Sequence, residues 1–241
     1  CSNDNTAQQN VSAVQLLARA AGPCGMVYGQ ELDLAAEACP VDEAGLLRIH
    51  ENKTGRLIRA AVALGRAVSR LAEARPEEMR NVMRRLMWHM NEESGNIGWG
   101  IPEAFGEIAA ACPQAGKEFH RVLISYIIEL EKDDNFCDQD VLRRSCYWAI
   151  GRLAQSRPEL AEPARPWLRR GAALDRDAVC RGMAAWAISC LGPSLDDMPA
   201  LRALAGSGDT TPCLLFDGHD VRELPLAEVA SRALKALPRA I

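Results

Sequence analysis

The chain has 241 residues, a formal charge of −4 and few aromatic side chains. That length holds one large domain or a small one beside a larger one, and the acidic balance argues against nucleic-acid binding, which calls for a basic excess. No stretch reaches the roughly 18 apolar residues of a membrane span, and no basic-then-apolar leader opens the chain, so the expected setting is cytoplasmic.

Alanine, leucine and arginine dominate, which favours helices because such side chains lose little rotamer freedom there. Nine cysteines are present with four scattered histidines. Irregular spacing and the lack of a CxxC argue against a structural zinc site, and no metal ligand set is expected. Cys112, Cys146 and Cys190 fall at apolar helical positions, where a reduced thiol acts as a small hydrophobe.

Residues 1–10, CSNDNTAQQN, are polar and without period, a disordered lead-in. From Val11 to Ala21 the apolar positions Val11, Val14, Leu17 and Ala18 share one helical face. Gly22-Pro23 interrupts, Met26 to Glu37 resumes helix, and Cys39-Pro40 breaks it. Asp42 and Glu43 then suit a helix start, and the helical pattern runs to about Ala74.

Within this stretch GMVYGQELDL (25–34) and LLRIHENKTGRLIRAAVALG (46–65) stand at a fixed separation. The paired GQxxDL and HxxKTG blocks resemble the carboxyl-proximal half of a trans-polyprenyl diphosphate synthase, of the farnesyl or geranylgeranyl type, over about residues 11–66. The resemblance implies that Lys53 and Thr54 face the diphosphate of an allylic substrate and that Gln30 lines the same cavity. A lysine is a compact cation for phosphate oxygens, and a threonine hydroxyl is a neutral donor. Such synthases neutralise the leaving pyrophosphate with magnesium held on two aspartate-rich motifs. Neither motif is found in these residues, and RAVSRLAEARPEEM occupies the place of the second. The aspartates of DDNFCD (133–138) have the wrong spacing for it, and also for a calcium loop; they read as a solvated interhelical turn.

Beyond residue 66 the chain repeats. RLIRAAVALGRAVSRLAEARPEE, NIGWGIPEAFGEIAAACPQ, LRRSCYWAIGRLAQSRPEL and VCRGMAAWAISCLGPSL are short apolar helices, each followed by a proline. Each has a small residue near its middle (Gly65, Gly106, Gly151 and Ser189), roughly 40 residues apart. Amphipathic partner helices are expected at 76–90, 117–131 and Pro158 to Leu168. Pro76, Pro113 and Pro158 would stop one helix and open the next. A helix–turn–helix unit of this period is the signature of HEAT or armadillo-type arrays, in which each pair hides its apolar stripe against the next. The blocks MRRLMWHMNEESGNIGWGIPEAFGEIA and RRSCYWAIGRLAQSRPEL resemble a bacterial HEAT-like repeat family of unknown role. The tail TPCLLFDGHDVREL reads as a hairpin turning at Asp217-Gly218, followed by a helix through Leu226, Val229, Ala230, Ala233, Leu234 and Leu237.

Two clusters stand out in the repeat half. Trp88, Glu92, Glu93, Asn96 and Trp99 flank a glycine-containing turn and suit a partner surface. Equally, tryptophans can pack between repeats and carboxylates can cap a helix start. Arg143, Arg144, Tyr147 and Trp148 suggest a second patch one repeat on. Glu103, Arg144 and Arg181 form a mixed-charge row of the kind that makes ion pairs between repeats. No catalytic triad order, phosphate loop or nucleotide fingerprint is present.

The expectation is therefore an all-α chain: a HEAT-like helical repeat solenoid over 56–205, after a truncated synthase-like helical segment over 11–66, with a hairpin-plus-helix cap over 206–241. Its expected role is a non-catalytic scaffold with a protein partner, no nucleic acid, no membrane span and no cofactor. The alternative is a fragment or fusion end of a polyprenyl diphosphate synthase, which would need magnesium and would keep diphosphate binding at Lys53, Thr54 and Gln30.

Overall fold

Proline sets the helix boundaries. A proline at the first helical position lacks only an N–H that would have no partner there, and its fixed φ suits the helix. The computed structural model describes residues 56–91, 100–132, 135–216 and 221–236, with isolated positions before residue 56. In it, α1 (Arg56–Ala74) ends one residue before α2 (Pro76–Met90), and α3 (Ile101–Ala111) one residue before α4 (Pro113–Ser125). The same step separates α5 (Asp140–Ser156) from α6 (Pro158–Ala161). There follow α7 (Arg165–Leu174), α8 (Ala178–Leu191) and α9 (Met198–Gly206), then β1 (Pro212–Phe216), β2 (Val221–Pro225) and α10 (Leu226–Lys235).

The described residues are thus mostly helical, and they pack in two layers. Helices α1, α3, α5 and α8 lie side by side in chain order, with α10 against α8. Against that layer lie α2, α4, α6, α7 and α9. Phe105, Ile108, Leu123, Ile150, Leu153 and Ile188 are buried in one continuous core, each such burial stabilising by about 1.5–3 kcal/mol. The strands pair antiparallel from Pro212↔Pro225 to Phe216↔Val221. The expected Asp217-Gly218 turn lies outside the described residues, as do residues 1–10. Buried Leu226, Val229, Ala230 and Ala233 give α10 its inward face.

Close approach fixes the spacing within the first layer. Gly65 of α1 faces Glu107 of α3, and Gly151 of α5 lies under the Trp186 ring of α8. A Cβ added to Gly106 would sit 2.6 Å from the Ala149 Cβ and 2.7 Å from its Cα. The obstacle at Gly106 is a backbone, which cannot swing away.

The third partner helix, expected unbroken over Pro158 to Leu168, is divided. After α6 comes a 3-10 turn, Glu162–Ala164, before α7 begins. Pro163 and Pro166 each remove a donor and crowd the carbonyl four residues back, so one α-helix cannot run through both. The helix expected over 117–131 begins at Pro113 and stops at Ser125, where Ile127 and Ile128 bond three residues back to Ile124 and Ser125. The following stretch, read from sequence as a solvated turn, is anchored over 135–138. Asn135 donates to Ser125 Oγ at 2.9 Å, the Cys137 N–H to Tyr126 O at 3.0 Å, and Cys137 is buried. Cys112 and Cys146 are buried free thiols and Cys190 is partly buried, as small hydrophobes would be.

Charge pairs bridge neighbouring helices. Arg80 of α2 binds Glu118 of α4 at 2.7 Å, and Arg152 of α5 binds Glu107 of α3. The row Glu103, Arg144 and Arg181 is resolved through other partners. Ser145 Oγ donates to Glu103 Oε1 at 2.6 Å, Arg144 pairs with Asp177 at 2.6 Å, and Arg181 lies 3.6 Å from Asp209. Glu103 is buried and, among the described residues, its Oε2 has no hydrogen-bond partner. Burial raises its pKa, against the lowering effect of Ser145.

Two predictions follow from this packing. Gly106→Val should destabilise by about 1–3 kcal/mol through overpacking, whereas Gly206→Ala, in open space within α9, should stabilise by about 0.4–1 kcal/mol. Urea midpoints check both, and equal shifts in the two variants would contradict the close approach. Glu103 favours the folded state most where it is protonated, below its ordinary value of 4.5, and this contribution is lost as pH rises through the raised folded-state value. Glu103→Gln should therefore gain stability relative to the parent chain as pH rises from 4.5 to that raised value, with no further gain above it, in unfolding curves across pH.

Candidate functional site

The residues singled out from sequence scatter. Gln30, Lys53 and Thr54 lie outside the described residues, as do Glu92, Glu93, Asn96 and Trp99. Trp88 is in the last turn of α2 and is 65% exposed. It stands there because Met79 and Met83 take the inward face of the helix, which turns Asn81, Arg84, Arg85 and Trp88 outward. These four line a shallow depression of about 420 Å³. The Trp88 ring meets His89 edge-on at 5.1 Å. Arg84 donates to Glu77 at 2.7 Å and to Asn81 at 3.0 Å. Among the described residues none pairs with Arg85, so this rim keeps a free guanidinium.

The second expected patch is largely interior. Tyr147 and Trp148 are 2% and 3% exposed. Trp148 stacks on Trp186 with ring centres 6.2 Å apart, and the Arg152 guanidinium carbon lies 6.0 Å from the Trp148 ring centre. Trp148 therefore belongs to the packing between α5 and α8, and Tyr147 packs on Gly171 of α7, so a partner surface cannot rest on these interior side chains. Arg144 is half-buried on Asp177, whose carboxyl is held at about 2: burial raises it, but Arg144 and the Cys180 amide lower it further. Asp177 is also the N-cap of α8, accepting from Cys180 N at 2.8 Å.

Arg143 is the electrostatic centre of this region, with its side chain 1% exposed. Nε and Nη2 donate to the two oxygens of Asp175 at 2.8 and 2.9 Å, and Nη2 also donates to Asp140 at 2.7 Å. Nη1 donates to the carbonyls of Cys137 and Asp138. Burial alone would lower its pKa, but the bonds to Asp175 and Asp140 raise it, so the cation is secure. Asp140 is lowered by Arg143 and then Arg176. Tyr147 Oη donates to Asp175 Oδ2 at 3.2 Å, and burial followed by the Asp175 charge pushes that phenol up.

Above this network lies a cavity of about 150 Å³. Phe136, Tyr147 and Trp167 supply its aromatic walls, while Arg170 and Arg176 stand at its edge. Sequence reasoning found Arg143 and Tyr147 but missed Asp175, Trp167 and Arg170. The available signal was the Asp-Arg-Asp run before the apolar run of α8, a helix-start pattern. Nothing local pairs Asp175 with a residue 32 positions earlier. Among the described residues no group of three His, Cys, Asp or Glu side chains gathers where a metal ion could be held, and no helix is long and apolar enough to cross a membrane.

Comparison with known proteins gives two kinds of relative. Farnesyl diphosphate synthase of Escherichia coli is 52% identical over 58 residues, 24% of this chain and 19% of that protein. The Micrococcus luteus enzyme of the same name is 40% identical over 73 residues, 30% of this chain and 25% of that protein. Geranylgeranyl pyrophosphate synthase 4 of Arabidopsis thaliana is 34% identical over 34% of this chain and 23% of its own length. The chain thus spans at most a quarter of the length of these enzymes. No family model matches the chain, and no solved structure does. An uncharacterized protein of Archaeoglobus fulgidus is 30% identical over 143 residues, 59% of this chain and 69% of that protein. On that coverage, the chain belongs to the family of the uncharacterized Archaeoglobus fulgidus protein.

Proposed function

We propose that the chain is a non-catalytic, HEAT-like repeat scaffold that binds a protein partner through the outward face of α2. The observation that carries this reading is the exposed Trp88 ring beside the unpaired Arg85. Tryptophan and arginine are the side chains that most often dominate binding at protein interfaces. An indole held out in water has apolar area to bury, and a free guanidinium favours a carboxylate beside it. The partner is therefore an acidic segment with one apolar anchor. Two-layer packing of α1 to α8 supports the repeat reading, because each interface covers what its neighbour leaves open.

The test is direct. A photo-crosslinking residue at position 88 should capture a partner that is identified and then purified. Trp88→Ser and Arg85→Glu should each weaken its measured affinity about tenfold or more, with the unfolding midpoint unchanged. Equal affinity for the parent chain and both variants would sink the α2 surface.

The 52% identity to part of a farnesyl diphosphate synthase favours a second reading, a synthase fragment or fusion end that retains diphosphate binding. Under the scaffold reading, the chain supplied with magnesium, isopentenyl diphosphate and geranyl diphosphate yields no farnesyl diphosphate. Turnover would decide for the synthase. Pyrophosphate binding that is lost in Lys53→Ala would mean that the substrate-facing residues keep that role.

A further inference from the structure

We propose that the cavity above Arg143 is a binding site for a single planar aromatic ring carrying one anionic group. Its occupant is a small molecule, separate from any protein bound at α2.

Size comes first. A half-open pocket of about 150 Å³ matches the space taken by one benzene-sized ring and is small for a peptide or a dinucleotide. The walls specify the ring. Phe136, Tyr147 and Trp167 surround the space, and Ile127 and Leu174 complete its apolar lining. Leu174 is 74% exposed at this edge, an apolar surface that a bound ring would cover. Aromatic faces prefer another aromatic ring in offset or edge-on contact.

The floor is already satisfied and has no polar group to offer. All of the Arg143 nitrogens donate within the protein. Asp175 Oδ1 accepts from Arg143 and from the Asp177 N–H, and Oδ2 accepts from Arg143 and Tyr147. The Arg143 guanidinium carbon also lies 5.1 Å from the centre of the Phe136 ring, holding that wall in place. An occupant therefore meets ring faces within and, at the edge, the cations Arg170 and Arg176 with the Glu129 carboxylate beside Arg170.

Those edge cations have capacity left. Among the described residues Arg170 donates only through Nη2, to Glu129 at 2.8 Å, with both side chains about half exposed. Arg176 uses Nε on Asp140 and Nη2 on the Asp138 carbonyl. Nε and Nη1 of Arg170 and Nη1 of Arg176 remain for a carboxylate or phosphate. A planar guanidinium suits either group.

The experiment titrates the full chain with four probes: benzoate, phenyl phosphate, cyclohexanecarboxylate and benzyl alcohol, by calorimetry and ligand-observed NMR. Benzoate or phenyl phosphate should bind saturably at one site with a dissociation constant below about 1 mM, and the tighter of the two identifies the anion. The ring without π faces and the ring without charge should each bind at least about tenfold more weakly. Trp167→Leu and Arg170→Gln should each weaken the favoured probe by about tenfold. Glu129→Gln should tighten it, because it releases Arg170 from its ion pair. Arg170 and Glu129 are exposed enough that these variants keep the fold, which the unfolding midpoint confirms. The proposal is overturned if neither aromatic anion saturates, if cyclohexanecarboxylate binds as well as benzoate, or if Arg170→Gln and Glu129→Gln leave the affinity unchanged.

Discussion

Distance between neighbouring backbones is the constraint on which the rest of this molecule depends. Helices α3 and α5 approach so closely at Gly106 that even a methyl group would meet the main chain at Ala149. That contact sets the separation of the first layer and so decides what can lie on it. Interiors are packed like organic crystals, and strain at one contact is passed to the next. The second layer fills the grooves left by the first, through Leu123, Ile124 and Leu168.

The charged groups follow from that geometry. Once the layer spacing is fixed, Arg152 reaches Glu107 and Arg144 reaches Asp177 across adjacent helices. Both pairs are partly buried, so the cost of desolvating the charges offsets much of their attraction, and they register the helices more than they hold them together. Arg143 differs. Breaking its buried bonds to Asp175 would leave an uncompensated charge in the interior, which costs about 3–5 kcal/mol. Glu103 marks the opposite case, a buried carboxyl with only Ser145 to serve it.

Local chemistry was legible in the chain and long-range pairing was not. Pro76, Pro113 and Pro158 gave their helix starts directly, and the β1–β2 hairpin followed from two short apolar runs. Gly65, Gly106 and Gly151 could be recognised by their recurrence, though not by what each would face. The α6–α7 break was there to be read in Pro163 and Pro166 but was hidden by an apolar periodicity that continues through it. Asp175 illustrates what cannot be read locally. It follows a helix as an ordinary polar residue, and its meaning comes from Arg143 on another helix. Tyr147 and Trp148 look like surface aromatics beside two arginines, yet which of them faces α7 and which faces α8 is settled only by tertiary packing. Trp88 needed the opposite inference, because the methionines of α2 had already filled the inward face.

The single guanidinium of Arg143 holds the carbonyls of residues 137 and 138 and the carboxylate of Asp175 at once. Two connecting segments far apart in the chain are thereby clipped to one point. Release of either segment would leave that buried cation short of acceptors, so the two stretches share one electrostatic requirement although they lie on separate parts of the chain.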